Sequence, residues 1–283
     1  MTPTSNYLRC EGRELHYMDW NAPSGRTVIA WHGLARTGRD MDELASHLSA
    51  NGYRVICPDT IGRGLSQWSP DPLQEYCLDF YARLAVSLAD QLGLRQFDWV
   101  GTSMGGAIGM VCAAGPLQER ITRLVLNDIG TELAEVAEQR IRGYAGRPPA
   151  FDTVSELEAY FRTIYQPYGW ISDAQWRRMT ETSVRRLPDG RVTPHYDPAM
   201  AGQFIHHPDD YKLHEEYARI DVPVLLLRGA SSDLLLPETV AAMRQTGPGL
   251  TGRLQVIEVE GCGHAPALNV PDQLGAVLKF LRA

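Results

Sequence analysis

The chain has 283 residues, of which 44% are hydrophobic, enough for one sizeable core with room for a subdomain. Its net charge is −7, with 25 Arg and two Lys among its cations, and this acidic balance speaks against nucleic acid or an anionic membrane as a partner. The opening "MTPTSNYLRCEGRELHY" has no basic segment leading into an apolar stretch, and no apolar run approaches the roughly 20 residues of a membrane span, so a cytoplasmic protein is expected. Cys10, Cys57, Cys77, Cys112 and Cys262 are odd in number and never spaced C-x-x-C, which suggests reduced thiols rather than a disulfide framework or a zinc knuckle.

In chain order, "YLRC" and "RELHYMD" read as paired strands around Gly12. "TVIAWHG" and "YRVICPD" read as buried strands, with the helix "DMDELASHLSANG" between them ending at Gly52. "DFYARLAVSLADQLG" is an amphipathic helix, followed by the strand "FDWV", the helix "AIGMVCAA" and the strand "RLVLND". After a long interval come the strand "VPVLLLRG", the helix "ETVAAMRQTG", the strand "RLQVIEVEG" and the helix "PDQLGAVLKFLRA". Strands separated by helices imply right-handed crossovers and a mostly parallel α/β sheet covered on both faces.

Between "FDWV" and "AIGMVCAA" lies "GTSMGG", a G-x-S-x-G match centred on Ser103. A strand, a sharp turn and a helix are the context that a nucleophile elbow needs, with the serine held in a strained conformation and its hydroxyl clear of the turn. Gly101, Gly105 and Gly106 are then the places where strand and helix approach closely. In sheets of this kind functional residues gather at the carboxyl ends of strands. Those ends carry His32-Gly33-Leu34, "DTIGRGLS" from Asp59, "RGASSD" ending at Asp233, and "GCGHAP" around His264.

These motifs resemble those of the α/β-hydrolase fold family, over residues 7 to 283 and most loosely in the middle third. The resemblance implies an eight-stranded, mostly parallel sheet flanked by helices. A core of residues 1–130 and 221–283 would carry a helical lid inserted at 131–220. It also implies a serine triad in the chain order Ser103, Asp233, His264, with Asp128 at the end of "RLVLND" as the rival acid. The chemistry requires such a set, because free serine is a poor nucleophile: His264 must take its proton and return it to the leaving group, while a carboxylate fixes the imidazole. By the same resemblance the oxyanion donors are the backbone N–H groups of Leu34 and Met104, and "DTIGRGLS" is a loop brace. Arg63 and His32 are candidates for substrate contact, His32 more for holding its loop.

Serine at position 103, where dehalogenases and epoxide hydrolases of this fold carry aspartate, implies acyl chemistry. Carbon–carbon bond hydrolases of ring-cleavage products also use serine, but typically place tryptophan after the histidine, where this chain has Ala265-Pro266.

Residues 131–220 hold 12 of the chain's 24 aromatic residues. Capping boxes at Thr153 with Glu156 and at Ser172 with Gln175 mark two helix starts, and Pro-Asp-Gly at 188–190 marks a turn. Tyr144, Phe161, Tyr165 and Trp170 are the candidates for a pocket roof. His206, His207 and His214 lack partners at zinc-like spacing, so no metal is expected, nor any other cofactor. The expected activity is hydrolysis of a small apolar ester or lactone by a monomer or homodimer. The alternatives are carbon–carbon hydrolysis, or a hydrolase-fold protein that senses a ligand without useful turnover.

Overall fold

The computed structural model describes residues 2–22 and 25–283, and the side chain of Tyr144 lies outside that description. The chain opens with the antiparallel pair β1 (Thr4–Cys10) and β2 (Arg13–Trp20). There follow β3 (Thr27–Trp31), β4 (Arg54–Pro58), β5 (Phe97–Thr102) and β6 (Ile121–Asn127). A short hairpin, β7 (Val184–Arg186) and β8 (Val192–Pro194), stands apart, and β9 (Val224–Gly229) and β10 (Leu254–Val259) complete the set. Eight strands form one sheet in the order β1-β2-β4-β3-β5-β6-β9-β10, parallel from β4 to β10.

The central strands "TVIAW" and "VLLLRG" are buried along their whole length, as continuous apolar strands are when helices cover both faces. Alternation along each strand sends side chains to opposite sides. Ile29 and Trp31 therefore enter one core with the helices Leu78–Gln91 and Met104–Ala114, whereas Val28 and Ala30 enter another with Leu44, Leu48 and Leu281. The strand order places β5 between β3 and β6, so the turn after β5 is central on the carboxyl edge.

The segment between β6 and β9 contains the helices Glu135–Ala145, Val154–Ile164 and Asp173–Glu181, with both expected capping boxes formed. Its packing divides. Leu157, Phe161, Tyr165, Ile171, Trp176 and Val192 make a small core of their own, while Ala137, Ile141, Ala145, Met200, Phe204 and Tyr217 belong to the main core.

Candidate active site

Ser103 sits between β5 and the helix Met104–Ala114 at φ 51 and ψ −117, a conformation that side chains rarely adopt. The close approach around it depends on missing side chains. A Cβ on Gly101 would lie 2.2 Å from the Gly105 carbonyl oxygen, and one on Gly105 would lie 2.3 Å from that of Trp31. Two bonds brace the turn: Trp99 Nε1 donates to the Gly105 carbonyl at 2.9 Å, and Ser103 N–H donates to the Asn127 carbonyl at 2.9 Å.

His264 faces this turn from the loop after β10. Its Nε2 lies 3.0 Å from Ser103 Oγ and its Nδ1 lies 2.8 Å from Asp128 Oδ2. A carboxylate accepts only, so the proton belongs on Nδ1, and the bare Nε2 is left to accept from the serine hydroxyl. Asp128 directly follows β6 at φ 56, is fully buried, and also accepts from Gly229 N–H at 2.7 Å and Ser232 Oγ at 2.6 Å. These donors aim the carboxylate as well as satisfying it.

The placement of Asp233 corrects the sequence expectation. Its carboxylate is half exposed and pairs with Arg140 at 2.9 Å, and the position beside His264 Nδ1 is filled by Asp128. Both aspartates follow the carboxyl end of a parallel strand. What separates them is Ser232, whose hydroxyl turns the β9 loop onto Asp128 and caps the N–H groups of Leu234 and Leu235, leaving the next residue to face outward.

The N–H groups of Leu34 and Met104 have no acceptor among the described hydrogen bonds, although both residues are buried. Buried orphan donors are uncommon, and here they border the serine. His32 lies below them, with Thr60 N–H donating to its Nε2 at 2.9 Å and its Nδ1 2.7 Å from the Gly33 carbonyl. Burial pushes its pKa down to about 4, so the ring is a neutral loop brace, and the expectation of substrate contact is corrected.

Arg63 is corrected in the same way. It is fully buried, its Nε donates to the Leu34 carbonyl at 2.9 Å, its Nη1 donates to the Ile61 carbonyl and the Tyr81 hydroxyl, and its Nη2 reaches Met104 Sδ at 3.6 Å. It therefore ties together the two residues that carry the orphan donors. Asp59, in the same loop, accepts from His16 Nδ1, Gly38 N–H and Leu65 N–H. Burial works against its charge, and the histidine and amide donors outweigh that, holding the carboxyl below its ordinary range.

A cavity of about 290 Å³ opens on the Ser103 and His264 side chains, walled by Leu34, Arg36, Arg140, Ile141, Ile164, Tyr165 and Tyr168 among others. Of the roof candidates, Tyr165 lines it. Phe161 does not: it is buried in the small core, its ring 5.1 Å from the Arg36 guanidinium. Trp170 is exposed and outside the cavity, and the Tyr144 side chain is outside the described residues. Sequence reasoning missed Arg36 and Arg140. Arg36 carried a signal in its position two residues after Leu34, whereas Arg140, in a helix rich in charge, had none.

A family model described as alpha/beta hydrolase fold matches residues 26–269. The chain belongs to the α/β-hydrolase fold family. Within it, the chain is 37% identical to a 3-hydroxybutyrate-oligomer hydrolase from Cupriavidus necator, over 99% of this chain and 98% of that one. A 2-hydroxymuconate semialdehyde hydrolase from a Pseudomonas species is 39% identical over 103 residues, 36% of this chain and 32% of the other. The crystal structure of an alpha/beta hydrolase from Novosphingobium aromaticivorans, 30% identical, matches 99% of this chain and 98% of that one with a TM-score of 0.85. The protein is thus a hydrolase of the α/β family, and no helix among the described residues is long and apolar enough to cross a membrane.

Proposed function

We propose that this hydrolase cleaves short carboxylic esters through an acyl-enzyme, with Ser103 as nucleophile, His264 as general base and acid, and Asp128 as the carboxylate behind it. The observation that carries the reading is the chain of contacts from Ser103 Oγ to His264 Nε2 at 3.0 Å and from His264 Nδ1 to Asp128 Oδ2 at 2.8 Å. As Ser103 Oγ attacks the ester carbonyl, its proton passes to Nε2, and Asp128 stabilises the imidazolium. The carbonyl oxygen becomes an oxyanion that takes the two orphan N–H groups of Leu34 and Met104. One such donor contributes about 2.7–4 kcal/mol to the transition state. Collapse expels the alcohol with the proton from Nε2. Water then repeats the sequence on the acyl-serine and releases the acid.

The relative from Cupriavidus necator supports short 3-hydroxyacyl ester oligomers as the substrate, since its likeness spans the whole chain. A cavity of about 290 Å³ is at the small end of ligand pockets, about 300–1,000 Å³, and suits a few such units. The carbon–carbon reading is less favoured: the hydrolase that supports it matches only 36% of this chain. The helices between β6 and β9 act in this reading as a lid, with Tyr165 and Tyr168 in its inner wall.

Labelling with a fluorophosphonate, located by peptide mass, tests the nucleophile together with a panel of aryl esters. Ser103 takes the label, and Ser103→Ala folds normally while losing about 10⁶ in kcat, as other enzymes do when a triad serine is removed. Turnover within tenfold of the unaltered enzyme removes the proposal.

A further inference from the structure

Two arginines stand in the wall of the cavity that holds Ser103 and His264. Arg36 is mostly spent on the fold: its Nε and Nη2 grip Asp40 at 2.6 and 2.7 Å, its Nη2 also reaches Ser183 Oγ, and its Cζ lies 4.6 Å from the Tyr165 ring centre, so that only its buried Nη1 is left without a partner among the described residues. Arg140 is not. It projects from the helix Glu135–Ala145, remains 45% exposed, and engages Asp233 through Nη2 alone, while its Nε and Nη1 have no acceptor among the described hydrogen bonds.

The Arg140 and Asp233 pair has little value as a stabilising contact. Half-exposed ion pairs contribute about 0–1 kcal/mol. What the pair does is hold a guanidinium at the wall of a cavity, with most of its donor fork unpaired among the described hydrogen bonds. A guanidinium matches a carboxylate in plane and charge, and no Asp or Glu is among the described residues lining the cavity to satisfy it from within.

We infer that the substrate carries a free carboxylate and that Arg140 binds it, so the cavity reads one end of the ester chain. This rests on the ester reading above. An oligomer of a 3-hydroxyacid supplies such a group by its own chemistry, because ester links join its units, a hydroxyl ends one side and a carboxylate ends the other. Asp233 keeps Arg140 turned towards the cavity, and the substrate carboxylate takes the donors that Asp233 leaves. Arg140 is in this sense a specificity-determining residue, distinct from the groups that make and break the ester.

The test compares the linear dimer of 3-hydroxybutyrate with the same dimer capped as its terminal carboxamide, which differs only in charge at that end. Binding is measured by calorimetry on Ser103→Ala, with and without Arg140→Met, so the readout does not depend on turnover. The free acid binds at least tenfold tighter than the amide to the arginine form, and the difference shrinks to less than threefold with Arg140→Met. It also narrows as salt is raised. Equal binding of acid and amide, no binding of either, or a preference that survives Arg140→Met overturns the inference. Hydrolysis of 4-nitrophenyl acetate by the unaltered enzyme is followed separately: its absence counts against the ester reading, whichever way the binding comparison falls.

Discussion

The two aspartates make opposite demands on the same substitution. Asp128→Asn keeps the shape but offers His264 Nδ1 an amide in place of a carboxylate, so the tautomer is no longer fixed, and kcat for a neutral aryl ester falls by about 10⁴. Asp233→Asn falls far short of that loss and instead raises KM for esters with a free carboxylate, because Arg140 loses its holder. Steady-state kinetics on both variants decides, and the reverse order returns the acid to the β9 loop. His32 supplies a pH prediction of a different kind. Its folded pKa of about 4 lies below the ordinary value near ~6.5, so between those values the unfolded chain binds a proton that the folded one refuses. Stability therefore falls as pH drops through that window, by about 2 kcal/mol from this group between pH ~7 and pH ~5. Urea unfolding at both values measures it, and His32→Gln, whose amide oxygen still accepts from Thr60, shows a smaller drop. Arg63 and Asp233 mark where residue-level reading stopped. A charged side chain in a strand-end loop reads as substrate contact, and only the three-dimensional path of the loop shows that Arg63 turns inward to the Leu34 carbonyl and that Ser232 turns Asp233 outward.

Among the elements, the elbow was the most legible, because its chemistry is local: a short apolar strand, small residues around one serine, and a buried helix within about twenty residues of chain. The strands were equally readable, since "TVIAW" and "VLLLRG" are apolar throughout. The β7–β8 hairpin was not, because its strands are short and only the Pro-Asp-Gly turn between them gives a signal. The elbow's tightness makes a prediction about glycine. Gly105→Ala puts a Cβ 2.3 Å from the Trp31 carbonyl oxygen, so the helix must shift, at a cost of about 1–3 kcal/mol, with a loss of kcat as Ser103 moves with it. Gly275, in the helix Pro271–Arg282, meets nothing within 4 Å, and Gly275→Ala stabilises by about 0.5–1 kcal/mol. Chemical denaturation of the pair reads opposite signs from one substitution type. Equal effects would mean that the elbow is looser than its contacts imply.

At the scale of the molecule, the question is what fastens the helices between β6 and β9 to the rest of the chain. The interruption of the strand pattern over residues 131–220 was legible in the sequence, but not how that segment is attached, since the attachment is made by residues far apart in sequence. Backbone bonds join it to the His264 loop, from Gly263 N–H to the Pro167 carbonyl at 2.7 Å and from Ala267 N–H to the Tyr168 carbonyl at 3.1 Å. Arg36 joins it to the loop of Leu34, with Asp40 on one side of the guanidinium and Phe161, Tyr165 and Ser183 of the insert on the other. Burial works against this charge, and Asp40 more than offsets it, so the guanidinium pKa is raised and the pin stays cationic. Arg36→Ala removes the pin and leaves the Asp40 carboxylate without its partner, a kind of change that costs about 3–5 kcal/mol when the pair is buried. The expected result is a lower thermal midpoint, with limited proteolysis cutting first between residues 146 and 186. Aryl ester turnover falls as Leu34 loosens. Arg36→Lys keeps the charge and the Asp40 contact but loses the guanidinium's close contact with the two rings, so it recovers part of the midpoint and less of the protease resistance. If Arg36→Ala matches the unaltered protein in both midpoint and cleavage pattern, the segment is held by its backbone bonds, its shared core and its other side-chain bonds, such as Tyr76 to Asp197 and Arg178 to Glu43.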